Sequence, residues 1–445
     1  MPQVGSYRWR IVALLFIATT INYIDRQVLS FTMIDDDFRR QMLGLAPGAT
    51  LTQEMQDAFK IEYGKVDAAF KTAYAFGFLI IGWLIDRIGT KRGFSIGIII
   101  WSIAGIMTSF VNSFAGLRVM RALLGLGESA NFPASIKSIA EWFPRKERAL
   151  ANGIFNAGTN VGVILTALSI PYLTLHYGWR PAFAITGALG ILLLIAWWFI
   201  YDRPDTSTKV SAAELVHIRQ DGDVESSVKV PWLKLLTYRQ TWAFVVGKFM
   251  TDPIWWFYLS WLPDFFNSNE ALDQKLDLKN IGIPFLVIYI VSDVGSIFFG
   301  WLSSQFLKRG WSLNRARKTT LAICAVCVMP IFLASTTNNI YLAVALLALA
   351  TSAHQGWSAN MYTFASDMFP KRVVASVTGI GGMAGAVAGI LFAYYAGIIR
   401  VTFGYLPLFL IAASTYTVAF LLIHLLVPKL QSVKIDEEPA EALRV

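Results

Sequence analysis

Long apolar segments dominate this sequence, each about 20 residues or more, and polar stretches separate them. A helix of that length crosses a hydrocarbon core of roughly 30 Å. The 445-residue chain is 55% hydrophobic and only 15% charged, whereas about a quarter of the residues of a soluble domain are charged. The sequence therefore predicts an all-α integral membrane protein.

The apolar segments divide into transmembrane helices at the points where polar residues, glycine or proline interrupt them. We place twelve helices, with approximate limits at 9–32, 66–85, 93–112, 115–136, 149–171, 179–201, 240–265, 282–306, 317–336, 340–366, 374–398 and 403–427. An even number of spans puts both termini on the same side of the membrane.

Lysine and arginine residues indicate which side that is. The loops that follow alternate spans carry Arg87, Lys91, Arg92, Lys137, Arg145, Lys146, Arg148, Lys308, Arg309, Arg315, Arg317, Lys318, Lys371 and Arg372. The short loops on the other side, 112–115, 172–178 and 337–340, contain neither residue type. Short basic loops stay cytoplasmic, so both termini are predicted to be cytoplasmic. This clustering also explains the net charge of +9 without a nucleic-acid partner.

Two short motifs recur after a little over 200 residues. Gly82-Trp83-Leu84 has a counterpart in Gly300-Trp301-Leu302, and Glu141-Trp142-Phe143-Pro144-Arg145 has one in Asp367-Met368-Phe369-Pro370-Lys371. The polar stretch 202–238 lies between the copies. We therefore predict two pseudo-symmetric six-helix halves, 1–201 and 239–445 with a short cytoplasmic tail, joined by a cytoplasmic linker at 202–238. Such duplication places a substrate site between the halves, near the bilayer midplane.

Charged residues inside the first predicted span are candidates for function, because a charge within the membrane is costly. Asn22, Asp25 and Arg26 share one helical face. In the functional interpretation, Arg26 receives a substrate carboxylate while Asp25 takes up and releases a proton. A static, buried ion pair is the alternative.

The fourth predicted span repeats this combination of an acid and an arginine. Arg121 and Glu128 are two turns apart on the same face. A cavity shared with span one is favoured over two unrelated structural pairs. In span two, Tyr74 either donates its hydroxyl to a sugar or packs as an aromatic side chain.

Polar residues also interrupt spans of the second half. Lys248 and Asp252 in span seven are four residues apart and either pair within the helix or serve the site. Span ten contains His354, Gln355, Ser358 and Asn360, a polar run that a lipid-facing helix does not tolerate. His354 either titrates near neutrality or is held by hydrogen bonds.

Several motifs together resemble one family of transporters. Gly82 to Arg92 resembles the signature loop of the major facilitator superfamily, and three motifs are similar to its anion:cation symporter family: Asn22-Tyr23-Ile24-Asp25-Arg26, Gly125-Leu126-Gly127-Glu128-Ser129 and Glu141 to Arg148. Gly153 to Gly162, Lys248 to Trp256, Ala353-His354-Gln355 and Ser366 to Pro370 resemble the hexuronate transporter branch. The resemblance covers nearly the whole chain.

The resemblance implies roles for individual residues. Asp25 and Glu128 fall on proton-coupling carboxylates, and Arg121 falls on the arginine associated with the acid of span four. Predicted substrate contacts are Tyr23, Arg26, Tyr74, Arg121, Thr159, Asn160, His354, Gln355, Ser358 and Asn360, and predicted cytoplasmic gate residues are Asp86, Arg87, Glu141 and Arg145. In span eleven the family's substrate contacts are replaced by Gly381 and Gly382, which leaves sugar selectivity open.

The combined prediction is a monomeric, proton-coupled symporter of the bacterial inner membrane that imports a sugar acid, glucuronate or galacturonate, by alternating access. It is not an enzyme and requires no cofactor or metal; Cys324 and Cys327 are interpreted as buried small side chains. The alternative is a sodium-coupled or exchanging carrier of another small organic anion, such as an aldonate, glucarate or tartrate.

Overall fold

The computed structural model describes residues 5–33, 35–221, 231–268, 272–274 and 282–433. Within these ranges the secondary structure is entirely helical, as predicted. The α-helices are α1 (Tyr7–Thr32), α2 (Asp36–Met42), α3 (Gln53–Ile88), α4 (Thr90–Thr108), α5 (Phe114–Glu128), α6 (Asn131–Trp142), α7 (Arg145–Tyr177), α8 (Trp179–Ile200), α9 (Ala212–Ile218), α10 (Trp232–Leu235), α11 (Arg239–Ser268), α12 (Gly282–Lys308), α13 (Leu313–Val328), α14 (Ile340–Met368), α15 (Val374–Phe403) and α16 (Leu406–Leu426). Two 3₁₀ segments, Met329–Ser335 and Lys371–Val373, follow α13 and precede α15.

All twelve predicted spans coincide with helices. Nine helical segments of the described chain are long and apolar enough to cross a membrane by length and composition alone. The other three predicted spans coincide with α4, with α5 and α6 together, and with α11. The division at 202–238 remains a prediction; residues 222–230 of that stretch and 434–445 of the predicted tail lie outside the described residues.

Span four, predicted as one helix over 115–136, is two helices in the structure. The α5 helix ends at Glu128 and α6 begins at Asn131. Pro133 explains the break: it has no N–H to donate to the carbonyl of Ser129, four residues earlier, and its ring crowds that carbonyl. Glu128 is consequently the last residue of a helix that ends inside the protein.

The stretch 33–65, between the first two predicted spans, contains helical segments. It contains α2 and the first thirteen residues of α3. Capping side chains start both helices: Asp35 accepts a hydrogen bond from the amide of Phe38, and Thr52 accepts one from the amide of Met55. Hydrophobic periodicity did not predict these helical segments because they are polar.

Helices from the two predicted halves pack closely through glycine. On one side α7 lies against α12, and on the other α3 lies against α15. A Cβ atom added at Gly153 would lie 2.5 Å from the carbonyl oxygen of Ser296, and one added at Gly82 would lie 2.6 Å from that of Ala375. Small residues permit this backbone approach, which larger side chains prevent.

Polar contacts also join helices of the two predicted halves at one end of the bundle. We call this the basic end; it comprises the junctions α3–α4, α6–α7, α12–α13 and α14–α15, where the clustered lysines and arginines lie. Asp86 of α3 accepts a hydrogen bond from the amide of Ser376 in α15 at 2.6 Å. Arg148 of α7 and Arg317 of α13 both pair with Asp367 of α14, at 3.4 and 2.9 Å. These five side chains are almost fully buried, so the basic end is closed.

Candidate substrate-binding cavity

A central cavity of about 670 Å³ lies between helices of both predicted halves. Residues of α1, α3, α6 and α7 line one wall, and residues of α11, α14 and α15 line the other. The lining side chains include Tyr23, Arg26, Tyr74, Phe132, Asn156, Thr159, Lys248, Asp252, Trp255, Trp256, His354, Gln355, Ser358, Tyr362 and Thr378. The lining also includes Gly382, the position that left sugar selectivity open.

Arg26 is the principal cation on the α1 wall. Its guanidinium lies between two tyrosines, 4.6 Å from the ring centroid of Tyr23 and 4.6 Å from that of Tyr74. Its Nε atom lies 2.8 Å from Oε2 of Glu128. Stacking and ion pairing together fix the planar group so that it can face an anion in the cavity.

Glu128, Arg121 and Asp25 form a buried cluster behind Arg26. Arg121 donates a hydrogen bond from Nη2 to the carbonyl oxygen of Arg26 at 3.3 Å, and its Nε and Nη1 atoms have no partner among the described residues. Asp25 is buried and does not line the cavity. The cluster thus holds two acids and two arginines within one half.

Lys248 and Asp252 face the cavity from the opposite wall. They form an ion pair of 2.9 Å within α11, as the spacing allowed. Lys248 also donates a hydrogen bond to the hydroxyl of Tyr362 at 3.3 Å. The Asp252 side chain is 18% exposed and that of Lys248 is 7% exposed, so the acid is the more accessible member. The pair presents a donor and an acceptor side by side.

The polar residues of α14 have different contacts from one another. The ring of His354 stacks on Trp255 at 5.0 Å and its Nδ1 atom lies 2.5 Å from the hydroxyl of Tyr416. Gln355 accepts a hydrogen bond from Asn156 of α7 at 2.7 Å. Together with Ser358, these side chains give the second wall hydrogen-bonding groups without adding a net charge.

Asn160 and Asn360 lie outside the central cavity. The amide of Asn160 donates to Oδ1 of Asp293 in α12 at 2.8 Å. The amide of Asn360 donates to the carbonyl oxygens of Gly356 and Phe299. Neither residue is among the lining of the central cavity, whereas the predicted contact Thr159 is. Sequence spacing placed these amides inside the membrane but did not fix which neighbour each one faces.

A second cavity of about 1120 Å³ continues from the first, away from the basic end. It shares Tyr23, Arg26, Tyr74, Trp255 and Trp256 with the first and adds Tyr63, Asp67, Phe70, Lys71 and Arg121. The side chains of Asp67 and Lys71 are 39% and 31% exposed and form an ion pair of 2.7 Å. The site is therefore accessible at this end and sealed at the basic end.

The predicted gate residues lie at the sealed basic end. Asp86 pairs with Lys137 at 2.7 Å, while Arg87 lies over the ring of Trp83. Glu141 accepts hydrogen bonds from Thr90 and Tyr201, and the carbonyl oxygen of Arg145 accepts one from Arg317. Neighbouring residues of a helix point about 100° apart, which explains why Asp86 and Arg87 diverge.

Two groups were missed by the sequence interpretation. Asp293 is an acid inside the predicted eighth span, so the cost of intramembrane charge was a sufficient signal. Arg148, Arg317 and Asp367 form a buried triad; the recurrence of Glu141 as Asp367 was visible, but nothing in the sequence indicated which arginines would meet that acid.

A charged cavity between two groups of membrane-spanning helices, open at one end and sealed at the other, defines a membrane transporter rather than an enzyme. The chain belongs to the Major Facilitator Superfamily, whose family model matches residues 15–393. A solved structure of the proton:xylose symporter XylE, described as a member of that superfamily, superposes with a TM-score of 0.72 over 96% of this chain and 98% of that one, at 14% identity. The predicted fold is thereby confirmed.

Within the superfamily, the chain is similar to transporters of sugar acids. It is 27% identical over 443 residues to the hexuronate transporter of Escherichia coli (strain K12), covering 98% of each chain. It is 29% identical over 403 residues to the probable galactarate/D-glucarate transporter GarP of the same organism, covering 86% of each. These similarities agree with the branch that the sequence motifs resemble.

Proposed function

We propose that this transporter imports a sugar acid with a single carboxylate, a hexuronate such as glucuronate or galacturonate, together with protons. The observation that carries the proposal is the position of Arg26, which faces the cavity between Tyr23 and Tyr74 while Glu128 holds its Nε atom. The similarity to hexuronate and galactarate/glucarate transporters supports the substrate class.

Glu128 and the substrate compete for the same cation. When Glu128 is ionised, Arg26 is already neutralised; when Glu128 takes a proton, the guanidinium is released to bind the substrate carboxylate through two parallel, charge-assisted hydrogen bonds. Asp25 is a second proton site, because a carboxylate that is only 3% exposed is costly as an anion. Proton and sugar acid are thus bound together.

Hydroxyl groups of the sugar require partners that both donate and accept. Tyr74, Thr159, Gln355 and Ser358 offer them around the cavity. We retain Asn160 and Asn360 as proposed contacts only in a conformation that releases them from their present partners.

The direction of transport follows from the orientation of the protein in the membrane. Short basic loops stay cytoplasmic, so we place the basic end and both termini in the cytoplasm, with the chain acting as a monomer in the inner membrane of a bacterium. The accessible cavity then faces outward, and the sealed basic end must open to release substrate. Opening requires separation of α3 from α15 and of α7 from α12.

Lys248 favours a second candidate, a dicarboxylate such as galactarate or glucarate, because it offers a second cation across the cavity. Asp252 weighs against this candidate. It already neutralises Lys248 at 2.9 Å, so a second substrate carboxylate would meet an internal anion. The same pair suits the uncharged end of a hexuronate, where a hydroxyl can donate to Asp252 and accept from Lys248.

Uptake of labelled glucuronate and galacturonate into proteoliposomes tests the proposal. Accumulation should follow an imposed pH gradient, acid outside, and should be unaffected when sodium is replaced by potassium. Accumulation that follows a sodium gradient and ignores the pH gradient would refute proton coupling. Galactarate uptake that exceeds hexuronate uptake would favour the second candidate.

A further inference from the structure

The contact between α7 and α12 follows two matched stripes of small and polar residues. We call it the α7–α12 seam; its members are Ala149, Gly153, Asn156 and Asn160 on α7 and Asp293, Ser296 and Gly300 on α12. Ser296 donates from Oγ to the carbonyl oxygen of Gly153 at 3.0 Å and accepts from Asn156 at 3.2 Å. The Asn160–Asp293 pair is the seam contact farthest from the basic end.

Asp293 is the charged member of this seam. It is half-buried, and its described partner is the amide of Asn160, which donates to Oδ1 at 2.8 Å. Among the described residues, no lysine, arginine or histidine forms an ion pair with it. It is the twelfth of the 27 residues of α12, so it lies roughly 17 Å from the nearer helix end, within the membrane.

The neighbouring helices present few groups that titrate. From α7 the facing side chains are the amides of Asn160 and Asn156. From α14, Thr351 and Ser352 meet this part of α12. His354 of α14 is engaged with Trp255 and Tyr416, and Tyr289 lies one turn away on α12 itself, against Phe285. An intramembrane acid without a cation is a functional candidate rather than a structural ion pair.

We propose that Asp293 is a further proton-binding residue of the transport cycle, placed in the α7–α12 seam rather than in the cavity. An ionised carboxylate accepts the Asn160 hydrogen bond more strongly than a neutral carboxyl does. Ionised Asp293 therefore holds the seam closed. Proton uptake, which converts the carboxylate to a carboxyl, weakens the bond and favours separation of α7 from α12 at the basic end. The inference rests on the proposed proton coupling.

Asp293→Asn tests this, with Asp205→Asn, an exposed acid outside the seam, as the charge-matched control. Exchange of labelled for unlabelled substrate, without a pH gradient, verifies that the variant folds and binds. Under a gradient of one pH unit, we expect its accumulation ratio to fall about tenfold, because each coupled proton contributes the free energy of a tenfold concentration ratio. Accumulation equal to wild type and to the control would overturn the proposal.

Failure of the proposed proton coupling can be distinguished from failure of the Asp293 proposal. Without proton coupling, uptake by the wild-type protein itself would not respond to the pH gradient. If the Asp293→Asn variant does not exchange substrate, the accessibility of the cavity from the basic end tests the proposal instead. In a Thr378→Cys background without Cys324 and Cys327, labelling from the basic end should increase as pH falls, once it is normalised to labelling of the denatured protein at the same pH, which corrects for the thiolate fraction. We expect that response to be smaller with Asp293→Asn; an unchanged response would also overturn the proposal.

Discussion

The Nε atom of Arg26 in α1 lies 2.8 Å from Oε2 of Glu128, at the last residue of α5. Both residues belong to the first half of the chain, so a movement of one group of helices against the other does not break the pair. A competing anion or a proton does. The ion pair thus regulates substrate binding through protonation, whereas the basic end regulates access to the site through helix movement.

Replacing Arg26 should weaken substrate binding strongly. The Arg26→Lys variant keeps the charge but loses the planar fork, and we expect substrate affinity to fall by at least about 30-fold, as the loss of a desolvated, charge-assisted pair costs about 2 kcal/mol or more. Quenching of tryptophan fluorescence by substrate measures this, since Trp255 and Trp256 line the cavity. Arg118→Lys, at a side chain that is 41% exposed, serves as the control and should bind normally.

Replacing Glu128 should separate exchange from accumulation. The Glu128→Gln variant mimics the protonated acid and leaves Arg26 permanently available. We expect exchange to continue while accumulation driven by a pH gradient falls, because one of the coupled protons is lost. Wild-type affinity should weaken as pH rises, because Glu128 then holds Arg26, and the variant should show a flatter dependence. A variant whose affinity falls with pH as steeply as that of wild type would contradict the role assigned to Glu128.

Replacing Asp252 should change which sugar acid is preferred. Asp252→Asn leaves Lys248 with an uncompensated charge, so binding of a second substrate carboxylate becomes favourable. We expect the ratio of galactarate to galacturonate affinity, measured by competition against labelled substrate, to rise by about tenfold or more. An unchanged ratio would mean that the pair does not contact the substrate.

Removing Asp367 should loosen the basic end. It leaves Arg148 and Arg317 without their shared acid, and breaking a buried pair costs about 3–5 kcal/mol. Asp367→Asn should therefore lower the melting temperature and increase labelling of the Thr378→Cys reporter from the basic side. Asp205→Asn, which removes an exposed acid, should do neither.

Glycine in α3 provides a steric test of the same closure. A Cβ at Gly82 would lie 2.6 Å from the carbonyl oxygen of Ala375, whereas one at Gly64 would meet nothing within 4 Å. Gly82→Ala should prevent full closure and impair uptake. Gly64→Ala, in the same helix, should be neutral or stabilise by about 0.4–1 kcal/mol. Equal uptake by both variants would indicate that α3 and α15 do not need this approach.

Sequence patterns predicted the helices well, because a segment of about twenty apolar residues has few stable structures other than a membrane-spanning helix. They also identified Arg26 and Tyr74, since an intramembrane charge or hydroxyl must face something polar. They did not indicate partners that come from a distant segment. Asn160 was predicted to contact a sugar, and in this structure its amide donates to Asp293, which lies 133 residues later. Pairing of this kind depends on helix rotation, which hydrophobicity alone does not determine.

Backbone amides and carbonyls, buried ion pairs and glycine contribute to the closure of the basic end. These surfaces must hydrate when α3 and α7 separate from their partners. The wall that excludes water in one conformation would thus become the wettable lining of an exit passage in the other, which an apolar seal could not do.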